Sequence, residues 1–152
     1  MAITEAEVAQ AQQAWADGIV AIGKAFTDGE DYKSVAINHV KELYGYSLGK
    51  VLFKPTKASE QQFRLTEPDA ISYFVGGHIS EDTGFALQPW TAVRFDNAGI
   101  TINGNTAIAM GNYFLTDGQS GDIVKVEYTF KYLKVDEKLH IILHHSSFPF
   151  QP

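Results

Sequence analysis

The sequence contains no cysteine, and this absence excludes disulfide bridges, thiolate metal sites and cysteine nucleophiles. Basic residues are scarce, since 12 lysines and arginines face 18 aspartates and glutamates, for a net charge of −6. Such a chain lacks the basic surface that nucleic acids require, and anionic membranes do not attract it. No apolar run approaches the roughly 18 residues of a membrane-spanning helix. We therefore expect a globular protein that binds neither nucleic acid nor membrane.

The length and the N-terminus favour one cytoplasmic domain. A chain of 152 residues, 45% hydrophobic and 20% charged, has the size and composition of a single globular domain, to which we assign residues 1–152. The first residues, MAITE, carry no basic stretch followed by an apolar run, so neither a signal peptide nor a transit peptide is indicated. We therefore expect a cytoplasmic location.

Two amphipathic helices are predicted near the N-terminus. Thr4 and Glu7 have the spacing of a capping box, and apolar residues follow at steps of three and four. These apolar residues are Val8, Ala11, Trp15, Ile19, Ile22 and Phe26. After a break at residues 27–29, a second helix is predicted over residues 30–44. Each helix has one apolar side, so both should pack on a sheet.

The rest of the chain favours β-structure. Short strands are predicted at residues 51–53, before Pro55, and at residues 70–75, before a pair of glycines. Asn103-Gly104 lies between two strand-like segments and predicts a tight hairpin within a meander of long strands. Long antiparallel strands beside N-terminal helices indicate an α+β fold, with the helices packed in a strongly curved, mostly antiparallel sheet that encloses a pocket.

Side-chain alternation predicts which residues line this pocket. In the last strand, the row that contains His145 and Ser147 begins apolar and becomes polar toward its end, so this pair is placed inward. His144 then points away from the pocket. Tyr128 belongs to the apolar row of the preceding strand and is also placed inward. Tyr73 adds a single hydroxyl to the apolar row of its own predicted strand, and a buried hydroxyl needs a hydrogen-bonding partner.

The strand at residues 106–116 leaves its orientation open. One of its rows contains Ile108 and Met110, the other contains Ala107 and Ala109, and both are apolar or small. A sheet that is buried on both faces would explain this pattern. The pattern therefore suggests a dimer formed through the convex side of the sheet.

The histidines do not form a recognisable metal site. His144 and His145 are adjacent on a strand and point to opposite faces, and no predicted helix carries histidines at positions i and i+4. Glycine loops with the spacing of a phosphate site are absent. Ser147 and His145 could belong to a serine triad, but no glycine-flanked serine elbow is present. Taken alone, the residues leave open a small-molecule pocket, an oligomerisation module and ordinary packing of these side chains.

Five segments of the chain form a recognisable set: VLFKPTKA at residues 51–58, QFR at 62–64, YFVGGH at 73–78, EDTGF at 81–85 and HHSS at 144–147. Together they resemble the iota-class carbonic anhydrases. This family is similar in turn to the association domain of calmodulin-dependent protein kinase II and to the nuclear-transport-factor-2-like superfold. The resemblance implies a cone-shaped fold, a homodimer, and the reversible hydration of carbon dioxide to bicarbonate without a metal or another cofactor.

The resemblance also implies which residues are catalytic. Carried over to this chain, it assigns Thr56, Tyr73, His145 and Ser147. His145 would act as general base or proton carrier, because an unperturbed histidine titrates near neutrality. Thr56, Tyr73 and Ser147 would orient the oxygens of water and bicarbonate as neutral donors. In a second version of the mechanism, Tyr73 activates the water and His145 only shuttles the proton.

The expected substrate pocket is larger than the catalytic set. An apolar wall would hold carbon dioxide beside the hydroxyl groups, and we expect the substrate-binding residues to be Thr56, Tyr73, Ser147, Phe53, Phe74, Trp90 and Tyr128. Two other functions stay open. One is a non-enzymatic association module whose pocket binds a carboxylate-bearing regulator. The other is a different enzyme of the same superfold, such as an isomerase or a dehydratase, which would need an inward carboxylate beside a histidine.

Overall fold

The computed structural model describes residues 2–152, in which three α-helices pack against a five-stranded curved sheet. In chain order the elements are α1 (Glu5–Thr27), α2 (Tyr32–Leu43), β1 (Leu52–Lys54), α3 (Glu67–Val75), β2 (Trp90–Asn103), β3 (Thr106–Asp117), β4 (Ile123–Val135) and β5 (Lys138–Ser147). Short 3₁₀ turns at Tyr46–Leu48 and Phe85–Leu87 lie in the connections that lead to β1 and β2.

The strands are ordered β1-β5-β4-β3-β2, with β1 parallel to β5 and every other pair antiparallel. This arrangement confirms the predicted α+β class with its mostly antiparallel sheet. Register shifts interrupt the β2–β3 ladder near Ala92 and near Ala98, and the β4–β5 ladder near Ile142. Such bulges bend a strand and increase its twist, and they therefore help the sheet to curve around the helices.

One bulge requires glycine on the neighbouring strand. A Cβ atom on Gly111 of β3 would lie 2.3 Å from the carbonyl oxygen of Asp96 and 2.7 Å from the backbone nitrogen of Ala98. Both atoms belong to the backbone of β2, so no side-chain rotation can relieve the contact. The close approach of β2 and β3 at this point therefore depends on glycine.

Helix α1 begins and packs as predicted. Thr4 Oγ1 accepts a hydrogen bond from the Glu7 N–H at 3.1 Å, and Glu7 Oε1 accepts one from the Thr4 N–H at 2.9 Å, which completes the capping box. Trp15 is fully buried in the core, whereas Phe26 at the end of the apolar stripe is 43% exposed. No helix within residues 2–152 is long and apolar enough to cross a membrane.

Helix α2 and the β2–β3 hairpin lie close to their predicted positions. Helix α2 begins after Asp31, whose side chain accepts a hydrogen bond from the Ser34 N–H and caps the helix. In the hairpin Asn103 pairs with Thr106, so the two-residue loop is formed by residues 104–105, one position later than predicted. Gly104 adopts a φ of 62°, which favours glycine.

Residues 70–75 form the last part of helix α3, so the strand predicted there is wrong. Pro68 and the acidic residues Glu67 and Asp69 lie in the first turn, where proline is tolerated and carboxylates are favoured. Gly76, with a φ of 76°, ends the helix. A short apolar run does not by itself distinguish a strand from a buried helix segment, and these start and stop signals decide between the two.

The orientation of β3 follows from its burial. Ala107, Ala109 and Tyr113 are buried and face the helices, whereas Ile108 and Met110 are exposed on the convex side. The sheet therefore presents apolar side chains on its outer face as well.

Candidate active site

Strand β5 places His144 and Ser146 inside the protein, so the predicted inward orientation of His145 and Ser147 is wrong. His144 is 2% exposed and Ser146 is 1% exposed, whereas His145 is exposed. Ser147 lies on the outer face, where its Oγ donates a hydrogen bond to Glu127 Oε1 at 2.9 Å. The two histidines do point to opposite faces, but their sides are exchanged.

A β-bulge explains this reversal. Ile141 and Leu143 of β5 pair with the consecutive residues Tyr132 and Lys131 of β4, which leaves Ile142 without a partner in the ladder. The extra residue interrupts the alternation, so every side chain that follows it moves to the opposite face. Alternation counted from Ile141 is therefore out of phase by one residue at the end of the strand.

The loop after β1 brings further side chains to Ser146. Thr56 Oγ1 lies 2.8 Å from Ser146 Oγ, and either oxygen can donate. The Tyr73 hydroxyl reaches the same loop from α3, accepts a hydrogen bond from the Lys57 N–H at 3.1 Å and also interacts with Thr56. The structure therefore brings Thr56 and Tyr73 together, with Ser146 rather than Ser147 as their neighbour on β5.

Tyr113 of β3 is a member of this cluster that alternation did not identify. Its hydroxyl lies 3.3 Å from His144 Nε2, and the nearby Ser146 and Thr56 hydroxyls act to lower its pKa. Both rows of β3 are apolar or small, so hydrophobic periodicity carried no signal for the orientation of Tyr113. The pairing of Tyr113 with Val126, whose side chain is fully buried, settles that orientation.

Aromatic rings enclose His144. Phe53 stacks on the imidazole with ring centroids 4.7 Å apart and planes inclined by 14°, and Phe130 meets it in a T-shaped contact at 4.3 Å. Burial lowers the pKa of His144 well below its usual value of 6.5, and the neighbouring His145 and His39 lower it further. The imidazole is therefore neutral at physiological pH.

The hydrogen-bonding partners of His144 within residues 2–152 are two tyrosine hydroxyls. Tyr44 Oη lies 2.8 Å from Nδ1, and Tyr113 Oη lies 3.3 Å from Nε2. Neither partner is a carboxylate, so the Asp or Glu that an isomerase or a dehydratase would need beside its histidine is not among them. Tyr44 is the last residue of the second helix predicted from the sequence, residues 30–44, and its polar role depends on a contact between distant parts of the chain.

Burial keeps the tyrosines of the cluster protonated. It raises the pKa of Tyr113 to about 12, although hydrogen bonds with Ser146 and Thr56 act in the opposite direction. Burial is also the main reason why the pKa of Tyr73 and that of Tyr44 are raised. These hydroxyls are therefore neutral at physiological pH and can donate hydrogen bonds.

The residues expected to form an apolar wall are all buried, at different distances from the hydroxyl groups. The ring of Phe53 contacts the ring of Tyr73 edge-on, and the ring of Phe74 stacks on that of Phe53; in each pair the ring centroids are 6.0 Å apart. Trp90 lies further away, because the ring of Phe85 lies between it and Tyr73. The centroid of Phe85 is 5.4 Å from that of Trp90 and 5.3 Å from that of Tyr73. Phe53 is therefore the apolar residue that contacts both Tyr73 and the histidine.

Tyr128 is buried and faces inward, as alternation predicted, but its hydroxyl belongs to a second polar group. The Tyr128 hydroxyl accepts a hydrogen bond from Gln12 Nε2 at 2.8 Å and donates one to Asn97 Oδ1. Asn97 Nδ2 donates in turn to Gln12 Oε1 at 2.9 Å. The ring of Tyr128 stacks on that of Tyr113 at 5.5 Å, so Tyr128 reaches the cluster through its ring.

A buried ion pair holds the loop between β1 and α3. The fully buried guanidinium of Arg64 donates to both carboxylate oxygens of Asp82, at 2.7 and 2.8 Å. It also donates to the backbone carbonyls of Gln61 and Asp69 and lies 5.8 Å from the ring centroid of Tyr73. Through these bonds Arg64 connects the segment that carries Thr56 with helix α3, which carries Tyr73, and with the loop after that helix.

Within residues 2–152, no group of three or more histidine, cysteine, aspartate or glutamate side chains is arranged to hold a metal ion.

The chain matches a known family over most of its length. A model of the family described as metal-independent carbonic anhydrase matches residues 6–148. A protein from Nostoc sp. (strain PCC 7120) named metal-independent carbonic anhydrase is 47% identical over 156 residues, which cover 99% of this chain and 76% of that protein. A crystal structure described as the iota-carbonic anhydrase from a cyanobacterium complexed with bicarbonate has a TM-score of 0.96 at 45% identity, covering 99% of this chain and 95% of the other.

More distant structures share the fold. One from Xanthomonas campestris, described as a calcium/calmodulin-dependent protein kinase II association domain, has a TM-score of 0.67 at 24% identity and covers 96% of this chain and 88% of its own. A nuclear-transport-factor-2-like protein from Shewanella oneidensis has a TM-score of 0.56 at 15% identity, covering 95% of this chain and 99% of its own. These likenesses confirm the predicted superfold. The family match and the Nostoc relative show more: this chain belongs to the family of metal-independent carbonic anhydrases.

Proposed function

We propose that this chain catalyses the reversible hydration of carbon dioxide to bicarbonate, without a metal or another cofactor, at the cluster of Thr56, Tyr73, Tyr113, His144 and Ser146. The observation that carries the proposal is an uncharged set of hydrogen-bonding side chains, buried except for the partly exposed Thr56, that lies directly against apolar rings. Carbon dioxide is apolar, whereas bicarbonate is an anion that accepts several hydrogen bonds. A catalyst of their interconversion has to offer both kinds of surface at one place.

Thr56 and Ser146 are placed to hold the attacking water. The two hydroxyls form a hydrogen bond with each other, so a ligand oxygen can replace one hydroxyl as the hydrogen-bonding partner of the other. When the water oxygen attacks the carbon of carbon dioxide, a C–O bond forms, one C=O π bond opens and leaves its electron pair on that oxygen, and one O–H bond of the water breaks. The released proton passes to a hydroxyl oxygen of this pair while that hydroxyl gives up its own proton toward solvent, on the side where Thr56 is partly exposed. The products are bicarbonate and a proton.

Tyr73 and Tyr113 are placed to stabilise the negative charge that develops on the carbon dioxide oxygens. The Lys57 N–H donates to the Tyr73 oxygen, so the phenolic proton of Tyr73 remains available for a ligand oxygen. Fixed donors in a site with little water stabilise such charge more than water does, because they need no reorganisation. The raised pKa values of both tyrosines keep these protons in place.

The roles expected for His145 and Ser147 pass to His144 and Ser146. The exposed His145 lies on the face opposite to Ser146, so it does not reach a ligand at Thr56. Because burial lowers the pKa of His144, this residue is a poor carrier of positive charge, and we assign it to hydrogen bonding rather than to general base catalysis. Activation of water by a Tyr73 phenolate is disfavoured in the same way by the raised pKa of Tyr73.

Carbon dioxide hydration, followed by stopped flow with a pH indicator, tests the proposal. The protein is first dialysed against a strong chelator, and its metal content is measured by mass spectrometry. We expect the hydration rate to be unchanged in the metal-free protein. Activity that disappears on chelation and returns with zinc would show that the metal-independent mechanism is wrong. A folded protein with no activity before or after chelation would favour the association module instead.

We also propose a homodimer formed through the convex face of the sheet. Ile108 and Met110 are 42% and 54% exposed on this face, and their neighbours on β4 carry charges of both signs. Lys131 pairs with Ile108, and Glu127, four pairs further along the ladder on the same face, pairs with Asn112. In a two-fold arrangement with antiparallel strands, Lys131 of one copy can approach Glu127 of the other while Met110 packs at the centre.

Light scattering after size-exclusion chromatography tests the dimer. Met110→Glu should convert the protein to a monomer, whereas Leu48→Glu, at an exposed apolar position outside this face, should leave the mass unchanged. A wild-type protein with the mass of one chain would exclude the dimer. The cytoplasmic location expected above stays a prediction, which microscopy of the tagged full chain can test.

A further inference from the structure

A chain of hydrogen bonds runs through buried side chains from α1 to β3. Trp15 Nε1 lies 3.0 Å from Tyr44 Oη, Tyr44 Oη lies 2.8 Å from His144 Nδ1, and His144 Nε2 lies 3.3 Å from Tyr113 Oη. Each of the four side chains is at most 2% exposed. This series of hydrogen bonds therefore ends at the proposed catalytic cluster but begins at Trp15, outside the cluster.

The indole of Trp15 determines which group donates and which accepts in this series of hydrogen bonds. Trp15 Nε1 can only donate, so Tyr44 Oη accepts its hydrogen bond. Tyr44 then has its own proton to donate, and the acceptor that residues 2–152 offer it is His144 Nδ1. In the opposite arrangement His144 Nδ1 would carry a proton and donate it to Tyr44, which would leave the buried Tyr44 O–H without an acceptor.

We infer that Tyr44, oriented by Trp15, holds His144 in the neutral tautomer that is protonated on Nε2. A neutral imidazole has one donor nitrogen and one acceptor nitrogen, so accepting at Nδ1 commits the proton to Nε2. His144 then donates to the Tyr113 oxygen, and the Tyr113 O–H is free to donate to a ligand at Thr56 and Ser146. Trp15 and Tyr44 are positioning residues, since neither of them touches the reacting atoms.

Within residues 2–152, the ring nitrogens of His144 have no hydrogen-bonding partner other than the Tyr44 and Tyr113 hydroxyls. Phe53 stacks on the imidazole and Phe130 meets it in a T-shaped contact, and neither ring carries a nitrogen or oxygen that could accept its proton. The catalytic part of the inference rests on the proposed function, because it takes the ligand to lie beside Tyr113. The tautomer itself can be tested whether or not the protein is active.

Nitrogen NMR of protein labelled with ¹⁵N-histidine reports which ring nitrogen carries the proton. The His144 signals can be assigned by their loss in His144→Gln. We expect the wild type to show the Nε2-protonated tautomer of His144 at neutral pH. In Tyr44→Phe the signals should move toward a mixture of both tautomers, and kcat/KM should fall by at least roughly tenfold, as when the tautomer of a catalytic histidine is no longer held.

Tyr132→Phe is the matched control. It removes one hydroxyl from a buried tyrosine whose oxygen has no hydrogen-bonding partner within residues 2–152. This variant should keep both the His144 spectrum and the wild-type rate. Circular dichroism of each variant shows whether the fold is retained. We expect it to be retained, because a Tyr→Phe substitution keeps the aromatic ring and removes only the hydroxyl.

The possible results separate the inference from the proposed function. Protonation of His144 on Nδ1 in the wild type, or an unchanged tautomer in Tyr44→Phe, would overturn the inference even in an active protein. A changed tautomer with an unchanged rate would overturn the positioning role. A wild type that shows the Nε2 tautomer but no hydration activity would overturn the proposed function and, with it, the catalytic role of the tautomer, while supporting the tautomer assignment.

Discussion

Thr56 Oγ1 and Ser146 Oγ lie 2.8 Å apart, although 90 positions separate them in the sequence. The parallel pairing of β1 with β5, in which Lys54 faces His145, brings the loop after β1 to the end of β5. Because the hydrogen bond joins two neutral hydroxyls, a ligand oxygen can replace it without leaving a buried charge unpaired. This contact is therefore where we expect the substrate oxygen to bind.

Neighbouring serines on β5 provide a sharp test of this site. Ser146→Ala should lower kcat/KM for carbon dioxide hydration by roughly tenfold to a hundredfold, because it removes a hydrogen bond that orients the reacting oxygen. Ser147→Ala makes the same chemical change on the outer face, where the hydroxyl bonds to Glu127, and should leave the rate unchanged. If Ser147→Ala lowered the rate and Ser146→Ala did not, the result would support Ser147, the serine that alternation placed inward, as the catalytic serine.

Tyr113 should be needed for activity although strand alternation did not identify it. Tyr113→Phe removes the hydroxyl beside His144 Nε2 and keeps the packing of the ring, so kcat should fall by about tenfold or more with a small loss of stability. Tyr32→Phe, on the partly exposed surface of α2, is the control and should retain the wild-type rate. Equal rates in both variants would remove Tyr113 from the mechanism.

Two buried histidines should make the protein less stable in mild acid. Burial lowers the pKa of His39 to about 4 and that of His144 well below 6.5, whereas both titrate near 6.5 in the unfolded chain. As the pH falls below about 6.5, the unfolded state binds more protons than the folded state, so the free energy of unfolding decreases by up to about 1.4 kcal/mol per pH unit for each histidine. Above that pH both histidines are neutral in the folded and in the unfolded state, so they no longer make the free energy of unfolding depend on pH.

Urea denaturation between about pH 7.5 and pH 5 measures this slope. His39→Gln should make the pH dependence shallower by the contribution of one histidine. Leu48→Ala, at an exposed position without a titratable group, should keep the wild-type slope. A wild-type free energy of unfolding that stays constant across this range would contradict the prediction.

Loss of one partner of the buried Arg64–Asp82 ion pair should destabilise the protein more than loss of one partner of a surface ion pair. Asp82→Ala leaves a fully buried guanidinium without its main partner and should lower the free energy of unfolding by about 3 kcal/mol. Glu81, 3.8 Å away, offsets only part of this loss. Glu42→Ala, which removes the exposed ion pair with Lys138, should change the free energy of unfolding by less than about 1 kcal/mol. Chemical denaturation compares the two, and equal losses would contradict the argument.

The local signals in the sequence were sufficient for several elements. The capping box at Thr4, the apolar stripe through Trp15 and the turn near Gly104 each depend on residues close together in the chain, and each is present. Helix α3 was missed even though its signals are also local. The apolar run at residues 70–75 favours a strand by periodicity alone, whereas the start signals around Pro68 indicate the helix that is present.

The amino-acid sequence by itself determined the class of fold, the acidic surface and the segments from which the site is built. Tertiary structure decided which side chains of those segments meet. Alternation gives relative orientation along a strand, but the absolute face depends on pairing with another strand, and the unpaired Ile142 reverses it between Ile141 and His144. Likewise, the polar roles of Tyr44 and Tyr113 exist only because His144 lies between them, and that contact joins residues far apart in the chain.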